Sequence, residues 1–447
     1  MVLRALTRAP VTLALVAINV AVYALASYES LFLVASSEWI DAFAFTPTML
    51  MYPSDWYRVF TSMFMHASLF HILFNMYFLI VFGRDVEERL GSFRYLLLYL
   101  ASGILASVFH SGLVPITGSL ALVVPAVGAS GAISGVLGAY LIMFPRRSMT
   151  LCLFIPVPIC ARMYAGHFLL FWLSLQVAFG LLSYGTGGGG IAFFAHVGGF
   201  LAGVLLAFLL APRQPAVVRL DQLALEAPVV AVARKTGLPL LLKAVLAVIA
   251  AVMAASAAYS AYVAESISGV YVIELKTEGM GLVEQDKAIY SLSDNMVISP
   301  SSSGPRVVFN RLLWAGLLSS SELAGRTLTG VIFDGVIRGV APGVDIKVVV
   351  VGSASYDERG VLSSLEGVVV TDVLLMRMGR VVGVEEGVSY KVSVSSEDLG
   401  VEAGRTVVRL SAIASAIVTL AALAVALVKD RDLAEEEVEY VLQPGSY

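Results

Sequence analysis

Two residues of this chain carry the side chains of a nucleophile and of its base, and each lies among glycines. Ser130 lies two residues after Gly128, and His196 lies two and three residues before Gly198 and Gly199. A serine hydroxyl is a weak nucleophile until a base takes its proton, and histidine is the natural base near neutral pH. Glycine lets a backbone turn tightly and lets two helices approach closely. The pattern therefore predicts that Ser130 and His196 form a catalytic pair.

A second pair of polar residues could stabilise the negative charge that such a reaction develops. His71 and Asn75 are four residues apart in the sequence, so they share one face of a helix. Both side chains can donate hydrogen bonds to one anionic oxygen. If Ser130 begins a helix, the free backbone N–H groups at that helix start can do the same.

The composition places these residues in a membrane protein. Of the 447 residues, 58% are hydrophobic and 14% are charged, whereas an ordinary soluble domain has about 25% charged residues. The net charge of −4 gives no indication of a nucleic-acid partner. The two cysteines, Cys152 and Cys160, do not make a disulfide framework, and we interpret them as packing residues.

Spanning helices must position the polar residues. A span needs about 20 mostly apolar residues. Eight segments are candidates, and we interpret the first as a retained helix and not as a signal peptide. They cover residues 11–35, 68–83, 93–111, 130–145, 166–184, 192–211, 238–263 and 406–428.

The second, fourth and sixth segments run in the same direction through the membrane, and the polar patterns lie in the first turns of each. These residues therefore share one layer below the membrane surface. Isolated polar groups are costly in hydrocarbon, so they should face one another inside the bundle. No Asp or Glu lies in this layer, which predicts a Ser–His dyad and not a triad.

Lys and Arg gather in the loops after the second, fourth, sixth and eighth segments. Cytoplasmic loops carry an excess of these residues. We therefore expect a multi-pass protein of the cell membrane with both termini in the cytoplasm.

The stretch 264–405 differs from the rest because it mixes polar and β-branched residues with turn signals. We predict that it is a β-rich extracytoplasmic domain. It could capture substrates, bind another extracytoplasmic partner, or shield and stabilise the enzyme. The predicted order is a six-helix core at 1–211, a cytoplasmic linker at 212–237, a seventh helix at 238–263, the domain at 264–405, an eighth helix at 406–428 and an acidic cytoplasmic tail at 429–447.

The motifs GASG at 128–131, AHVGG at 195–199 and HASLFHILFN at 66–75 resemble the signature motifs of the rhomboid family of intramembrane serine proteases, in their order and in their spans. Trp56–Arg58 and the EERLG sequence at 87–91 also fit, and the resemblance covers about residues 10–211.

The resemblance implies a role for each of these residues. Ser130 would be the nucleophile and His196 the general base, while His71, Asn75 and the Ser130 backbone would form the oxyanion hole, with Gly128 shaping its turn. It also implies cleavage of transmembrane protein substrates within or near the lipid bilayer, without a metal or a cofactor. The core would be an all-α bundle of six helices, to which this chain adds two helices and a β-rich domain.

Four other functions compete with this interpretation. A catalytically inactive relative that binds membrane proteins would be expected to lack Ser130 or His196, yet both are present. A transporter would line a path with polar residues, but Glu29 is the only acid in the first six segments. A zinc protease needs His-Glu-x-x-His or an equivalent, and an aspartyl protease needs two Asp within spans; neither pattern occurs.

Four nearby polar residues have structural interpretations. We expect Ser134, one turn after Ser130, to bond to the backbone. His66 is expected to be a loop histidine that lines the outer edge and has a structural role, and His110 is expected to lie at the membrane interface. Glu87 is expected to fix the turn after the second span.

Overall fold

The computed structural model describes most of the chain, and its residues fall into two compact units. The membrane unit comprises Met1–Ala264 and Thr406–Tyr447, and the β unit comprises Glu265–Arg405. The described residues are 9–122, 124–155, 157–183, 192–211, 229–266, 269–279, 282–291, 296–298, 317–341, 344–377, 380–398, 401–434 and 436–442.

Apolar helices make up the membrane unit. Among the described residues, seven helices are long and apolar enough to cross a membrane, and Ser130–Met143 is a shorter apolar helix. The chain is therefore a polytopic helical membrane protein, and the total of eight crossings stays a prediction. The helices are α1 Pro10–Ser27, α2 Leu69–Leu90, α3 Ser92–Gly112, α4 Ser130–Met143, α5 Ala165–Leu182, α6 Phe193–Leu210, α7 Leu240–Val263 and α8 Val401–Ala424.

Several helix ends differ from the predicted segments. The first helix ends at Ser27 and not near residue 35, and the chain then turns through Leu31 and Phe32, whose φ angles are 55° and 64°. Helix α2 continues to Leu90, well past residue 83, because hydropathy marks the apolar part of a helix and not its last hydrogen bond. Gly91, at a φ of 79°, ends it.

Helices α4 and α6 pack backbone against backbone. A Cβ atom added to Gly199 would collide with the carbonyl oxygen of Gly131, and one added to Gly203 would collide with that of Gly135. Small residues on both helices are what this close approach requires. The contact brings the first turn of α6 beside the first turn of α4.

Glu87 joins the end of α2 to the start of α1. Its carboxylate accepts hydrogen bonds from the backbone N–H groups of Val11 (2.9 Å) and Thr12 (2.8 Å), and from the hydroxyl groups of Thr12 (2.8 Å) and Ser92 (2.7 Å). The residue is 1% exposed. Besides holding the turn after α2, as predicted, Glu87 therefore caps the first helix from a distance.

Helices α7 and α8 pack on the other helices of the membrane unit. A Cβ atom on Gly166 of α5 would stand 2.9 Å from Cδ1 of Leu242 in α7, and one on Gly112 of α3 would stand 2.6 Å from the backbone nitrogen of Ala412 in α8. Beyond α8, the buried carboxylate of Asp430 accepts hydrogen bonds from the backbone of Leu238 (2.7 Å) and from Lys243 Nζ (2.9 Å). This carboxylate ties the start of α7 to the chain that follows α8.

Two strand pairs belong to the membrane unit. Strands β1 Ser148–Ile155 and β2 Val157–Tyr164 form an antiparallel hairpin between α4 and α5, and β3 Val229–Lys235 pairs with β11 Glu436–Leu442. The interpretation of both cysteines as packing residues was wrong. Cys160 is disulfide-bonded, and Cys152, the chain's only other cysteine, lies directly opposite it in the hairpin. Cross-strand register produces this proximity, which a spacing of eight residues does not reveal on its own.

The β unit is built on one antiparallel sheet. Its described strands have the order β6-β5-β4-β10-β9-β8-β7, and buried side chains such as Ile273, Val350, Leu365 and Val394 form its core. The predicted β-rich region is therefore present; its boundaries and its side of the membrane stay predictions. The strands are β4 Val270–Gly279, β5 Leu282–Ser291, β6 Met296–Ile298, β7 Thr327–Ala341, β8 Val344–Tyr356, β9 Leu362–Arg377 and β10 Arg380–Asp398.

One buried tyrosine anchors the turn between β8 and β9. The hydroxyl of Tyr271, in β4, donates a hydrogen bond of 2.7 Å to Oδ2 of Asp357. Burial raises the pKa of Tyr271, and the hydrogen bond to Asp357 raises that pKa further. The folded β unit therefore favours the neutral phenol.

Candidate active site

The structure brings Ser130 and His196 into direct contact. Ser130 is the first residue of α4, and His196 lies in the first turn of α6. The distance from Ser130 Oγ to His196 Nε2 is 2.8 Å, which is the distance of a hydrogen bond between a hydroxyl and an imidazole. This arrangement lets the imidazole remove the hydroxyl proton as the oxygen attacks an electrophile.

His196 also contacts helix α5 at two points. Its Nδ1 lies 2.8 Å from Oε1 of Gln176, and its ring centroid lies 6.0 Å from that of Trp172. Neither residue was predicted from the sequence. The available signal was a glutamine in a mostly apolar helix that also carries His167 and Ser174, and nothing in the sequence fixes which neighbour the glutamine faces.

Gly128 forms the turn that presents Ser130. Its φ angle is +121°, a conformation that side chains disfavour. A Cβ atom at this position would stand 2.7 Å from Nε2 of His71 and 3.6 Å from Oγ of Ser130. Gly128 therefore leaves room for the His71 imidazole beside the serine.

Asn75 lies one turn along α2 from His71, as predicted. Its Nδ2 donates a 2.8 Å hydrogen bond to the backbone oxygen of His71, and its side chain is largely buried. A carboxamide nitrogen carries two hydrogens. One of these hydrogens is used within the helix.

His66 is a buried loop residue behind this turn, which fits the structural role expected for it but not a position that lines an outer edge. It is 0% exposed. Its Nε2 accepts a long, 3.4 Å hydrogen bond from the backbone nitrogen of Ala129, and its ring packs edge-on against His71 with centroids 5.1 Å apart. The separation of five residues between His66 and His71 does not reveal the contact of His66 with Ala129. His66 supports both the serine turn and His71.

Two other sequence expectations concern Ser134 and His110. The Ser134 hydroxyl donates a 2.6 Å hydrogen bond to the backbone oxygen of Ser130, so the packing role expected for it is confirmed. His110 is 8% exposed and lies among buried residues near the end of α3; its position at the membrane interface stays a prediction. Within the described ranges, no three His, Cys, Asp or Glu side chains form a group that could hold a metal ion.

Comparisons with known proteins identify the family of this chain. The Rhomboid domain family model matches residues 53–213. The chain is 31% identical to "Rhomboid protease AarA" of Providencia stuartii over 47% of this chain and 76% of that protein. The chain belongs to the rhomboid family.

Other relatives differ in the activity that their names state and in the share of each protein that the match covers. "RHOMBOID-like protein 6, mitochondrial" of Arabidopsis thaliana is 32% identical over 34% of this chain, and the match spans 43% of that protein. "Inactive rhomboid protein 1" of Rattus norvegicus is 30% identical over 36% of this chain and 16% of its own length. The matched part is thus less than half of these two relatives, and the family includes both proteases and inactive members.

Proposed function

We propose that this chain is an intramembrane serine endopeptidase that cleaves transmembrane proteins with the dyad Ser130 and His196. The observation that carries the proposal is the 2.8 Å contact between Ser130 Oγ and His196 Nε2. The Gly128 turn and the position of His71 support it, because they place hydrogen-bond donors beside the nucleophile.

The proposed reaction has two halves. Ser130 Oγ attacks the carbonyl carbon of the scissile peptide bond while its proton passes to His196 Nε2. His71, Asn75 and the backbone N–H of Ser130 stabilise the oxyanion. When the tetrahedral intermediate collapses, His196 gives the proton to the leaving amine and an acyl-enzyme remains. Water then loses a proton to His196 and attacks the ester carbon. When the second tetrahedral intermediate collapses, the bond from the ester carbon to Ser130 Oγ breaks, His196 returns the proton to that oxygen, and the new carboxyl group is released.

The site must admit both water and an extended peptide segment. We propose that the substrate is a transmembrane protein whose helix unwinds locally. The membrane unit would place the dyad below the extracytoplasmic surface of the cell membrane, with both termini in the cytoplasm and the β unit outside. The loop charges support this orientation through the excess of Lys and Arg on one side.

The proposed domain order keeps the boundaries given by the sequence. Residues 1–211 form the catalytic core, 238–263 and 406–428 form two added helices, and 264–405 form an extracytoplasmic domain. The cytoplasmic parts are the linker 212–237 and the tail 429–447.

Deletion of residues 264–405 tests whether this domain acts in catalysis or in substrate choice. Unchanged cleavage of a minimal substrate by the deletion variant would exclude an essential role of the domain in catalysis.

The alternative is a catalytically inactive membrane-protein binding factor. The named inactive relative makes this alternative concrete. The contact between Ser130 and His196 favours the protease, because a protein that only binds has no need of a nucleophile bonded to a base.

Cleavage of a transmembrane reporter in liposomes tests the proposal. The wild type should cut the reporter, and Ser130→Ala and His196→Ala should each lower the rate by at least about a thousandfold. The control is Ser134→Ala, because the Ser134 hydroxyl bonds only to the backbone of its own helix in the contacts described above. Full activity of Ser130→Ala would refute the proposed mechanism.

A further inference from the structure

We propose that Gln176 is a positioning residue for His196, and that it holds the imidazole in the tautomer and orientation that Ser130 requires. This inference rests on the proposed function and adds a third side chain to the site. In this proposal helix α5 supplies neither the nucleophile nor the base, but it positions the base.

The imidazole is held at both of its nitrogens. Nε2 lies 2.8 Å from Ser130 Oγ, and Nδ1 lies 2.8 Å from Gln176 Oε1. A neutral imidazole carries one N–H group and one bare nitrogen. To act as a base toward Ser130, Nε2 must be bare, so the hydrogen must be on Nδ1. The oxygen of Gln176 accepts that hydrogen and thereby stabilises the active tautomer.

The position of Gln176 on its helix supports this role. Gln176 and Trp172 are four residues apart, so they share one face of α5. Trp172 packs near the imidazole, with ring centroids 6.0 Å apart, while Gln176 bonds to it. Together they restrict both the rotation and the tilt of the ring.

A neutral amide suits this depth better than a carboxylate does. A charged side chain within the membrane is costly, whereas a glutamine whose oxygen is hydrogen-bonded is tolerated. An amide orients the histidine but adds no negative charge to stabilise the imidazolium. Loss of Gln176 should therefore lower kcat about 10-fold to 100-fold, less than the about 10⁴-fold effect of disabling a triad carboxylate.

His196 bonds to Ser130 of α4 and to Gln176 of α5. The geometry of the dyad is therefore sensitive to the position of α5. Ser130 belongs to α4 and His196 to α6, and these helices are locked together by their glycines. The contact between α5 and α7 at Gly166 and Leu242 lies near the start of the same helix that carries Gln176. Displacement of α5 would break the bond to Nδ1 while leaving the serine–histidine pair in place.

The test compares three variants of the full-length protein in liposomes. Gln176→Met removes the acceptor with little change of length, and Gln176→Glu keeps an oxygen acceptor in either protonation state. Ser174→Ala is the matched control, since the Ser174 hydroxyl, two residues away on α5, donates 2.8 Å to the backbone of Leu170. The measurements are kcat and KM for reporter cleavage and the rate at which a fluorophosphonate labels Ser130.

A positioning role predicts a specific pattern. Gln176→Met should lower kcat and the labelling rate together, about 10-fold to 100-fold, with KM within about twofold of the wild type. Gln176→Glu should recover most of the loss, and Ser174→Ala should behave as the wild type. If the methionine variant does not fold, Gln176→Ala gives the same comparison.

Two results would contradict the positioning role of Gln176 and leave the proposed Ser130–His196 dyad unaffected. One is a Gln176→Met protein with the kcat and labelling rate of the wild type. The other is an equal loss in Gln176→Met and Gln176→Glu, which would show that the acceptor oxygen is irrelevant. A wild type whose cleavage does not depend on Ser130 would instead refute the proposed function itself.

Discussion

Gly203 of α6 lies directly against the carbonyl oxygen of Gly135 in α4, so closely that the structure leaves no room for a side chain between them. Gly199 and Gly131 repeat the same relationship one turn nearer the dyad. The distance between Ser130 and His196 therefore depends on direct backbone-to-backbone packing of α4 and α6, with no side chain between the paired glycines.

This packing predicts that Gly203→Ala separates the two helices and weakens the dyad. Overpacking of a tight interface costs about 1–3 kcal/mol, and the catalytic rate should fall because Ser130 and His196 move apart. Thermal unfolding and reporter cleavage measure both effects. The control is Leu209→Ala on the same helix, whose side chain is 61% exposed. Equal behaviour of the two variants would contradict the packing account.

The turn at Gly128 predicts a loss of activity without loss of the fold. Gly128→Ala adds a Cβ atom 2.7 Å from His71 Nε2 at a φ of +121°, so we expect His71 to move and kcat to fall about 100-fold. Gly118→Ala is the control, because it has a φ of +102° but nothing within 4 Å of its added Cβ. If both variants lose activity equally, backbone strain is responsible and not the contact with His71.

Neighbouring glutamates at the end of α2 should differ sharply in their effect on stability. Glu87 is buried and caps α1, so Glu87→Ala should lower the free energy of unfolding by about 2–4 kcal/mol. Glu88 forms an exposed ion pair with Arg84 at 3.3 Å, and Glu88→Ala should cost about 0.5 kcal/mol. Thermal unfolding of both variants tests this order, and a reversed order would contradict it.

The raised pKa of Tyr271 predicts that the β unit becomes less stable at alkaline pH. The folded state holds the phenol proton more tightly than the unfolded chain does, so this contribution to stability is complete below pH about 10 and is lost as the pH rises further. The protection factors of the β4 amides in the full-length protein, which remove the intrinsic base-catalysed rise in exchange rate, should therefore fall above that pH. In Tyr271→Phe this pH-dependent component should vanish, and its persistence would assign it to another group.

Much of the candidate site could be predicted from the sequence because it depends on local patterns. Glycines beside Ser130 and after His196 indicate close helix packing, and the four-residue spacing of His71 and Asn75 indicates a shared helical face. These relationships hold even when a predicted helix end is wrong by a few residues. They were sufficient to place the polar residues at one level of the bundle.

The contacts of Gln176, His66 and Glu87 could not be predicted in the same way. Each depends on how one helix or loop is rotated toward a segment distant in sequence, such as Thr12, which lies 75 positions before Glu87. Hydropathy reports that a position is polar in an apolar stretch but not which partner satisfies it. The buried positions of His66 and His110 have the same cause, since a histidine in a loop or near a helix end has no periodic pattern around it.

Labelling of the full-length protein by a fluorophosphonate, followed by mass-spectrometric mapping of the modified residue, tests the central claim most directly. It requires no knowledge of the natural substrate. If Ser130 is a nucleophile activated by His196, the wild type should carry the label on Ser130, and His196→Ala should label at least about a hundredfold more slowly. A label on another serine, or an unchanged rate in His196→Ala, would contradict the account.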